Sequence, residues 1–294
     1  MNAKLEHLEE LGDSVGMGSI QLNDVEFRAI AKLVYDNFGI CLTDEKRGLV
    51  LGRLQSTLHR RQLSSFSEYL TLMKADRSGA MMTELVNVIS TNHTSFFRES
   101  SHFQFLNQKV LPEVVATLQN SRRNDLRIWC AACSSGEEAY TLQMSVMKTL
   151  GSNYPSLDAG LLATDISTKV LQLAAQGIYT PERIHEIPKD YVHSFFKQQA
   201  DGNYQVIERV REEIMFRRFN LMNPVFPFKP FQIVFCRNVM IYFDPQTRIA
   251  LLQRIYNCLE PGGYLFLGHS ETINAGTTPL KACMPAVYQK RMDL

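Results

Sequence analysis

The segment L-R-I-W-C-A-A-C-S-S-G-E-E-A-Y-T-L-Q, residues 126–143, limits the fold of this chain more than any other. Its first half, Ile128 to Ala132, is a short apolar run, which marks a strand buried on both faces. Its second half, continued to Val146, places Ala139, Leu142, Met144 and Val146 on one broad helical face. Between them stand only small residues: Ala132, Cys133, Ser134, Ser135 and Gly136. A strand that turns through small residues into a helix start exposes unpaired backbone N–H groups to a ligand. An ordinary tight strand-to-helix turn has the same composition, and this segment alone leaves both readings open.

From Leu126 onward, strand and helix patterns alternate, which predicts an α/β fold with a parallel sheet covered on both faces. Strands are expected at Leu126–Ala132, Ala159–Asp165, Ile214–Asn220, Phe231–Arg237 and Gly263–Gly268. The alternation breaks at about 191–217, where an Asp201-Gly202 turn signal precedes β-rich residues, so a small β subdomain is expected there. Upstream, residues 1–22 read as a flexible tail and 23–90 as an all-helical unit. Asn23 and Glu26 have capping-box spacing, and Gly39 ends the first helix. Residues 91–119 read as a linker and connecting helix interrupted by Pro112, and 120–294 as the sheet domain.

Charge excludes little globally. The 294 residues carry a net charge of +1, so there is no overall field for nucleic acid, and electrostatic partners must be sought in local patches. One such patch runs from Lys46 to Gln62, which holds five cations (Lys46, Arg47, Arg53, Arg60, Arg61) and no acid. Lys46, Arg53 and Arg60 fall seven apart on one helical stripe, either a solvated face or a surface for an acidic partner. No apolar run approaches the roughly 20 residues of a spanning helix. The acidic N-terminus does not read as a signal peptide, and a cytoplasmic protein is expected. Six scattered cysteines fit no disulfide framework. Cys130 and Cys133 have CxxC spacing, but no second pair completes a zinc site, and no metal is expected.

Asp165 closes the second strand, where an acid can accept both hydroxyls of a ribose, although acids are also common in strand-end loops. Four further segments complete a pattern. They are T-N-H-T-S-F-F-R-E (91–99), the small-residue turn with S-S-G-E-E, F-C-R-N-V-M-I-Y-F-D (235–244) and L-E-P-G-G-Y-L-F-L-G-H-S-E (259–271). In this order they resemble the chemotaxis protein methyltransferases of the CheR type, over residues 23 to about 292. The small-residue turn is a degenerate form of the glycine-rich first motif of class I S-adenosylmethionine-dependent methyltransferases. Cys130 replaces its acid, and Ala132 and Ser134 replace two glycines. His93 stands where Leu is usual, Ser95 where Ala is usual, and Ala139 where Pro is usual.

The resemblance implies a Rossmann-like, mostly parallel seven-stranded sheet with an antiparallel edge strand, the run Ala286–Lys290 being placed there. It implies S-adenosylmethionine as cofactor and S-adenosylhomocysteine as product. Cofactor contacts are implied for Asn92, Thr94, Arg98, Ala132, Gly136, Glu137, Asp165, Asn220, Leu221, Arg237 and Asn238. Glu137 would meet the methionyl end, and Asn220 and Leu221 the adenine. Arg98 and Tyr242 are implied as catalytic, with Lys46, Arg53 and Arg60 facing the substrate. The implied reaction is methyl ester formation on glutamates of a chemoreceptor's cytoplasmic helices. A receptor C-terminal peptide on the β subdomain and a regulatory adaptor are implied as partners, the enzyme acting as a monomer, with no nucleic acid and no membrane insertion. His269 and Ser270 are read as structural, since no G-x-S-x-G elbow exists. The competing readings are a methyltransferase for RNA or a small molecule and a non-catalytic receptor-binding module.

Overall fold

Asn23 begins the first helix, α1 (Asp24–Phe38), by a reciprocal capping box: its side chain accepts from Glu26 N at 2.9 Å, and Glu26 accepts from Asn23 N at 3.1 Å. Gly39, at φ 69°, terminates it. The computed structural model describes residues 20–273, 276 and 278–292, so most of the expected N-terminal tail lies outside the described residues. A short 3₁₀ turn over Asp44–Lys46 leads into α2 (Arg47–Arg60), followed by α3 (Phe66–Ala75) and α4 (Ala80–Ile89). These helices enclose their own core, with Ile30, Val34, Leu54, Phe66, Tyr69 and Leu85 fully buried. The connecting helix starts as α5 (Ser100–Phe105), widens into a π turn at Leu106–Val110, and continues as α6 (Leu111–Asn120). Pro112 lies in the first turn of α6, where its missing N–H costs least, and the wide turn before it accommodates the ring.

The sheet domain runs β1 (Asp125–Ala131), α7 (Glu137–Leu150), β2 (Asp158–Asp165), α8 (Thr168–Gln176), β3 (Ile178–Tyr179), α9 (Pro181–Ile184), α10 (Lys189–Phe195), β4 (Phe196–Gln198), β5 (Tyr204–Val206), α11 (Glu208–Arg211), β6 (Ile214–Arg218), β7 (Phe231–Cys236), α12 (Pro245–Asn257), β8 (Leu259–Phe266), β9 (Leu280–Met284) and β10 (Val287–Lys290). Seven strands form one sheet in the order β6-β2-β1-β7-β8-β10-β9, parallel except for the pairs made by β10. Strand β1 lies inside it between β2 and β7, covered on both sides: Ile128 and Cys130 enter one core, Trp129 and Ala131 the other. That is why its sequence is continuously apolar. Strand β9 was not expected; it is half-exposed and carries no apolar run. The small sheet, ordered β3-β5-β4, begins at Ile178, ahead of the expected position 191, because two residues are too few to show a periodic pattern. Among the described residues no helix is long and apolar enough to cross a membrane.

Candidate active site

The strand order reverses at β1, whose neighbours β2 and β7 are followed by crossovers on opposite faces; open sheets bind ligands in the crevice at such a point. A cavity of about 270 Å³ lies there. Its floor is the turn between β1 and α7. Ala132 and Ser134, standing where glycines are usual, take φ of 59° and 50°, and Gly136 takes 97°. A non-glycine residue in this region costs about 1–2 kcal/mol, so the turn is held by its surroundings. Cys133 N donates to Thr164 O at 2.8 Å, and Ser134 Oγ donates to Asn92 O at 3.0 Å. Asp165 accepts from Ser134 N and Ser167 N, each at 2.9 Å. Burial pushes its carboxyl above the usual range, opposed by those two amides. Two carboxylate oxygens with two bonds retain capacity for a pair of hydroxyls.

The wall is an ion network around Arg237, whose side chain is 1% exposed. It donates to Glu138 Oε2 at 2.9 Å, Glu99 Oε2 at 2.9 Å and the carbonyl of Arg98 at 2.5 Å. Asn238 Nδ2 reaches Glu99 Oε1 at 3.3 Å. Glu271 accepts from the backbone N–H of Asn238, Met240, Ile241 and Gly268, fixing the loop that carries Tyr242. Phe97, Glu99, Ala132, Ser134 and Asn238, five of the eight non-glycine residues described at positive φ, belong to this neighbourhood. Strain of that kind gathers at functional sites.

The roof comes from the helical domain: Phe38, Ile40, Leu42, Lys46, Leu49 and Ile89 line the cavity. Their segment is latched to the loops below. Ile40 bridges Phe243, Cys41 N donates to Tyr242 O at 2.8 Å, Asn220 Nδ2 donates to Asn37 O at 2.7 Å, and Tyr35 donates to Asp244 at 3.0 Å. Lys46 Nζ lies 5.7 Å from the centroid of the Tyr242 ring.

The cavity gathers Lys46, Asn92, Thr94, Arg98, Ala132, Asp165, Asn220, Leu221, Arg237, Asn238 and Tyr242. Four expected residues lie elsewhere. Glu137 needs a correction: its fully buried carboxylate turns to Ser135 and Arg183, away from the cavity, and its neighbour Glu138 lines the cavity instead. One residue rotates a helical side chain by about 100°, which is the distance between the two assignments. Gly136 does not line the cavity either; a Cβ there would lie 2.9 Å from Ala174 Cβ and 3.0 Å from Tyr179 Oη, so its role is close packing against α8 and β3. Arg53 donates to Ile89 O at 2.6 Å and Ser90 O at 3.1 Å, and Arg60 pairs with Glu84 at 2.9 Å. Both line a separate groove beside the cavity, together with Lys169 and Arg218. The apolar roof and Phe219 escaped the sequence reading because they look like ordinary core residues. Glu138 was legible, as the second acid of the G-E-E turn.

A mostly parallel seven-stranded sheet with an antiparallel edge and a cleft at its switch point, capped by a helical domain, is the fold of a class I methyltransferase. The comparisons agree: residues 92–288 match the CheR methyltransferase SAM-binding domain, and residues 25–90 match the CheR methyltransferase all-alpha domain. The chain therefore belongs to the CheR methyltransferase family. It is 42% identical over 273 residues to a chemotaxis protein methyltransferase of Borreliella burgdorferi, covering 92% of this chain and 96% of that one. It is 34% identical to chemotaxis protein methyltransferase 2 of Vibrio cholerae (88% and 89% covered) and 35% identical to the chemotaxis protein methyltransferase of Escherichia coli (87% of each).

Proposed function

We propose that this enzyme transfers the methyl group of S-adenosylmethionine to glutamate side chains on the cytoplasmic helices of chemoreceptors. One observation carries the reading: a single cavity brings Asp165, Glu138, Arg237, Arg98 and Tyr242 together, with Asp165 for the nucleoside, Glu138 for the methionyl end, and a guanidinium and a phenol half-buried beside them. Asp165 takes the ribose hydroxyls, and Asn220 and Leu221 meet the adenine. Asn92, Thr94 and the Ala132 turn meet the rest of the cofactor, and Glu138 replaces Glu137 at the ammonium of the methionyl end.

A glutamate nucleophile has an ordinary pKa near 4.3 and is already ionised at neutral pH, so no general base is required. Sulfonium and carboxylate charges vanish together as the methyl moves, and an over-tight grip on the carboxylate slows the step. The protein's contribution is alignment and exclusion of water, worth about 7–11 kcal/mol when geometry is good. Arg98 offers the carboxylate a planar two-point clamp. Tyr242 sits beside the transferred methyl and fixes the line of approach. Arg237 holds both Arg98 and Glu138 in place and touches the chemistry only through them. The basic face steers an acidic helix through Lys46 and the field of Arg53 and Arg60. The edges β3 and β4 of the small sheet suit a receptor's C-terminal peptide by strand addition. Tritium transfer from labelled cofactor to receptor-bearing membranes, with release of the label as methanol in base, tests the assignment. Label that appears in RNA or is stable to base sinks it.

A further inference from the structure

Glu99 has two neighbours that the methyl-transfer site does not use. His102, three residues on, places Nδ1 at 3.5 Å from Glu99 Oε2, and His269, beyond β8, places Nε2 at 3.9 Å from the same oxygen. The three donor atoms lie within 4.8 Å of one another, and the two rings meet edge to face with centroids 4.7 Å apart. His102 is fully buried and its Nδ1 has no hydrogen-bond partner among the described residues, while Nε2 faces the carbonyl of Pro285 at 3.4 Å. Both oxygens facing this ring, Glu99 Oε2 and Pro285 O, are acceptors, and a neutral imidazole has one N–H. Either tautomer therefore points a lone pair at an oxygen. A second ring proton would relieve the conflict only by burying a full charge near Arg237. A cation between Nδ1 and Oε2 relieves it with the ring neutral, and Nε2–H then donates to the Pro285 carbonyl, as metal-bound histidines do with their second nitrogen.

We propose that Glu99, His102 and His269 bind one divalent transition-metal ion of the zinc class, and that its presence is felt at Arg237. Two imidazole nitrogens and one carboxylate, with a fourth position for water, are a donor set that suits zinc. Tetrahedral bonds of about 2.0–2.1 Å separate donor atoms by about 3.3–3.5 Å, so the His102–Glu99 pair already fits. His269, with half its side chain exposed, stands 3.9 Å from Glu99 Oε2 and within 4.8 Å of the His102 donor, so its ring has to move inward, giving up its 3.5 Å approach to Ser101 Oγ. The link to Arg237 is direct: Glu99 Oε2 is also the oxygen that Arg237 Nη2 holds at 2.9 Å, and the same Nη2 holds the Arg98 carbonyl. An ion on Glu99 draws off that charge, repels the guanidinium, and loosens the wall of the cofactor cavity.

The test is a titration of the full chain with Co²⁺, read by its visible ligand-field absorption and followed by displacement with Zn²⁺, with no cofactor or methyl acceptor present. The expected result is one ion per chain with the intense absorption of a four-coordinate nitrogen and oxygen site. His269→Ala should weaken it by roughly tenfold or more while leaving metal-free S-adenosylhomocysteine binding unchanged. Lack of the absorption, sulfur-to-cobalt charge transfer from the free cysteines in its place, or unaltered affinity in His269→Ala would overturn the site. Saturating Zn²⁺ should weaken S-adenosylhomocysteine binding several-fold in the parent and not in His269→Ala; an unchanged constant overturns the link to Arg237. None of these readouts needs a methyl acceptor, so they stand apart from the assignment of the substrate.

Discussion

Arg98 reaches the cavity from a segment bent on both sides, with Phe97 at φ 53° and Glu99 at φ 57°, and its guanidinium donates to His93 O at 3.0 Å. A residue placed at such cost in backbone strain is positioned for a task, and Arg98→Ala is expected to lower the turnover number by about 100-fold or more, the scale of a misaligned reacting group. Calorimetry with S-adenosylhomocysteine should show its affinity little changed; a large loss of affinity with normal turnover would move Arg98 from substrate to cofactor. Asp165 makes the opposite case. Its oxygens anchor the backbone of two turns as well as facing the cavity, and Asp165→Ala should weaken cofactor binding by about 1.5–3 kcal/mol, the worth of hydrogen bonds to a charged group, as measured by the same titration. Glu137 and Glu138 show what a sequence leaves undecided at this scale. Adjacent acids at a helix start are equally favoured by the helix dipole, and only the packing of α7 on β1 chooses which one faces the ligand.

At the scale of elements, the β1–α7 turn joins two demands that the sequence merges. Ala132 and Ser134 meet the cavity, whereas Gly136 meets α8 and β3. Gly136→Ala combines a positive φ with a Cβ driven into Ala174, and should destabilise the domain by about 1–3 kcal/mol in a denaturant melt. A melt unchanged by the substitution would mean that α8 gives way freely. Helix α2 merges demands in a similar way. Its stripe is periodic, as Lys46, Arg53 and Arg60 predict, yet Arg53 is bound to the backbone that leaves α4 and Arg60 to Glu84, and only Lys46 faces the cavity. Replacing Lys46 and Arg60 with Gln should weaken receptor methylation and flatten its dependence on salt, because steering by exposed charge is screened. An unaltered salt dependence would make the stripe a solvated face.

For the whole molecule, the governing feature is that two separately cored units share one cavity. The helical domain supplies an apolar roof and the sheet domain a polar floor, joined by the bridge of Ile40 to Phe243 and the bonds from Asn220 and Tyr35. His102, under the same loops, connects global stability to pH. Burial, and after it the Arg237 charge, hold its pKa at about 4 against an ordinary 6.5. Between those values the unfolded chain binds a proton that the folded chain refuses, so stability rises with pH through that window. The contribution, about 3 kcal/mol, is complete above pH 6.5 and lost as pH falls toward 4. Denaturant melts across that range, run with a chelator present, should show this slope in the parent and its loss in His102→Gln.

Composition and periodicity alone determined the alternation of strands and helices, the capped helix at Asn23, the buried central strand and the small-residue turn, because each follows from local patterns of side chains. The tertiary structure alone decided that Glu138 rather than Glu137 faces the ligand, that Gly136 serves packing, that Arg53 is engaged at home, and that Ile40 and Leu42 roof a cleft whose floor lies far along the chain, at Ala132 and Ser134. It also set Glu99 and His102 beside His269. Such choices depend on contacts between segments far apart in sequence, and a local pattern carries no record of its distant neighbour.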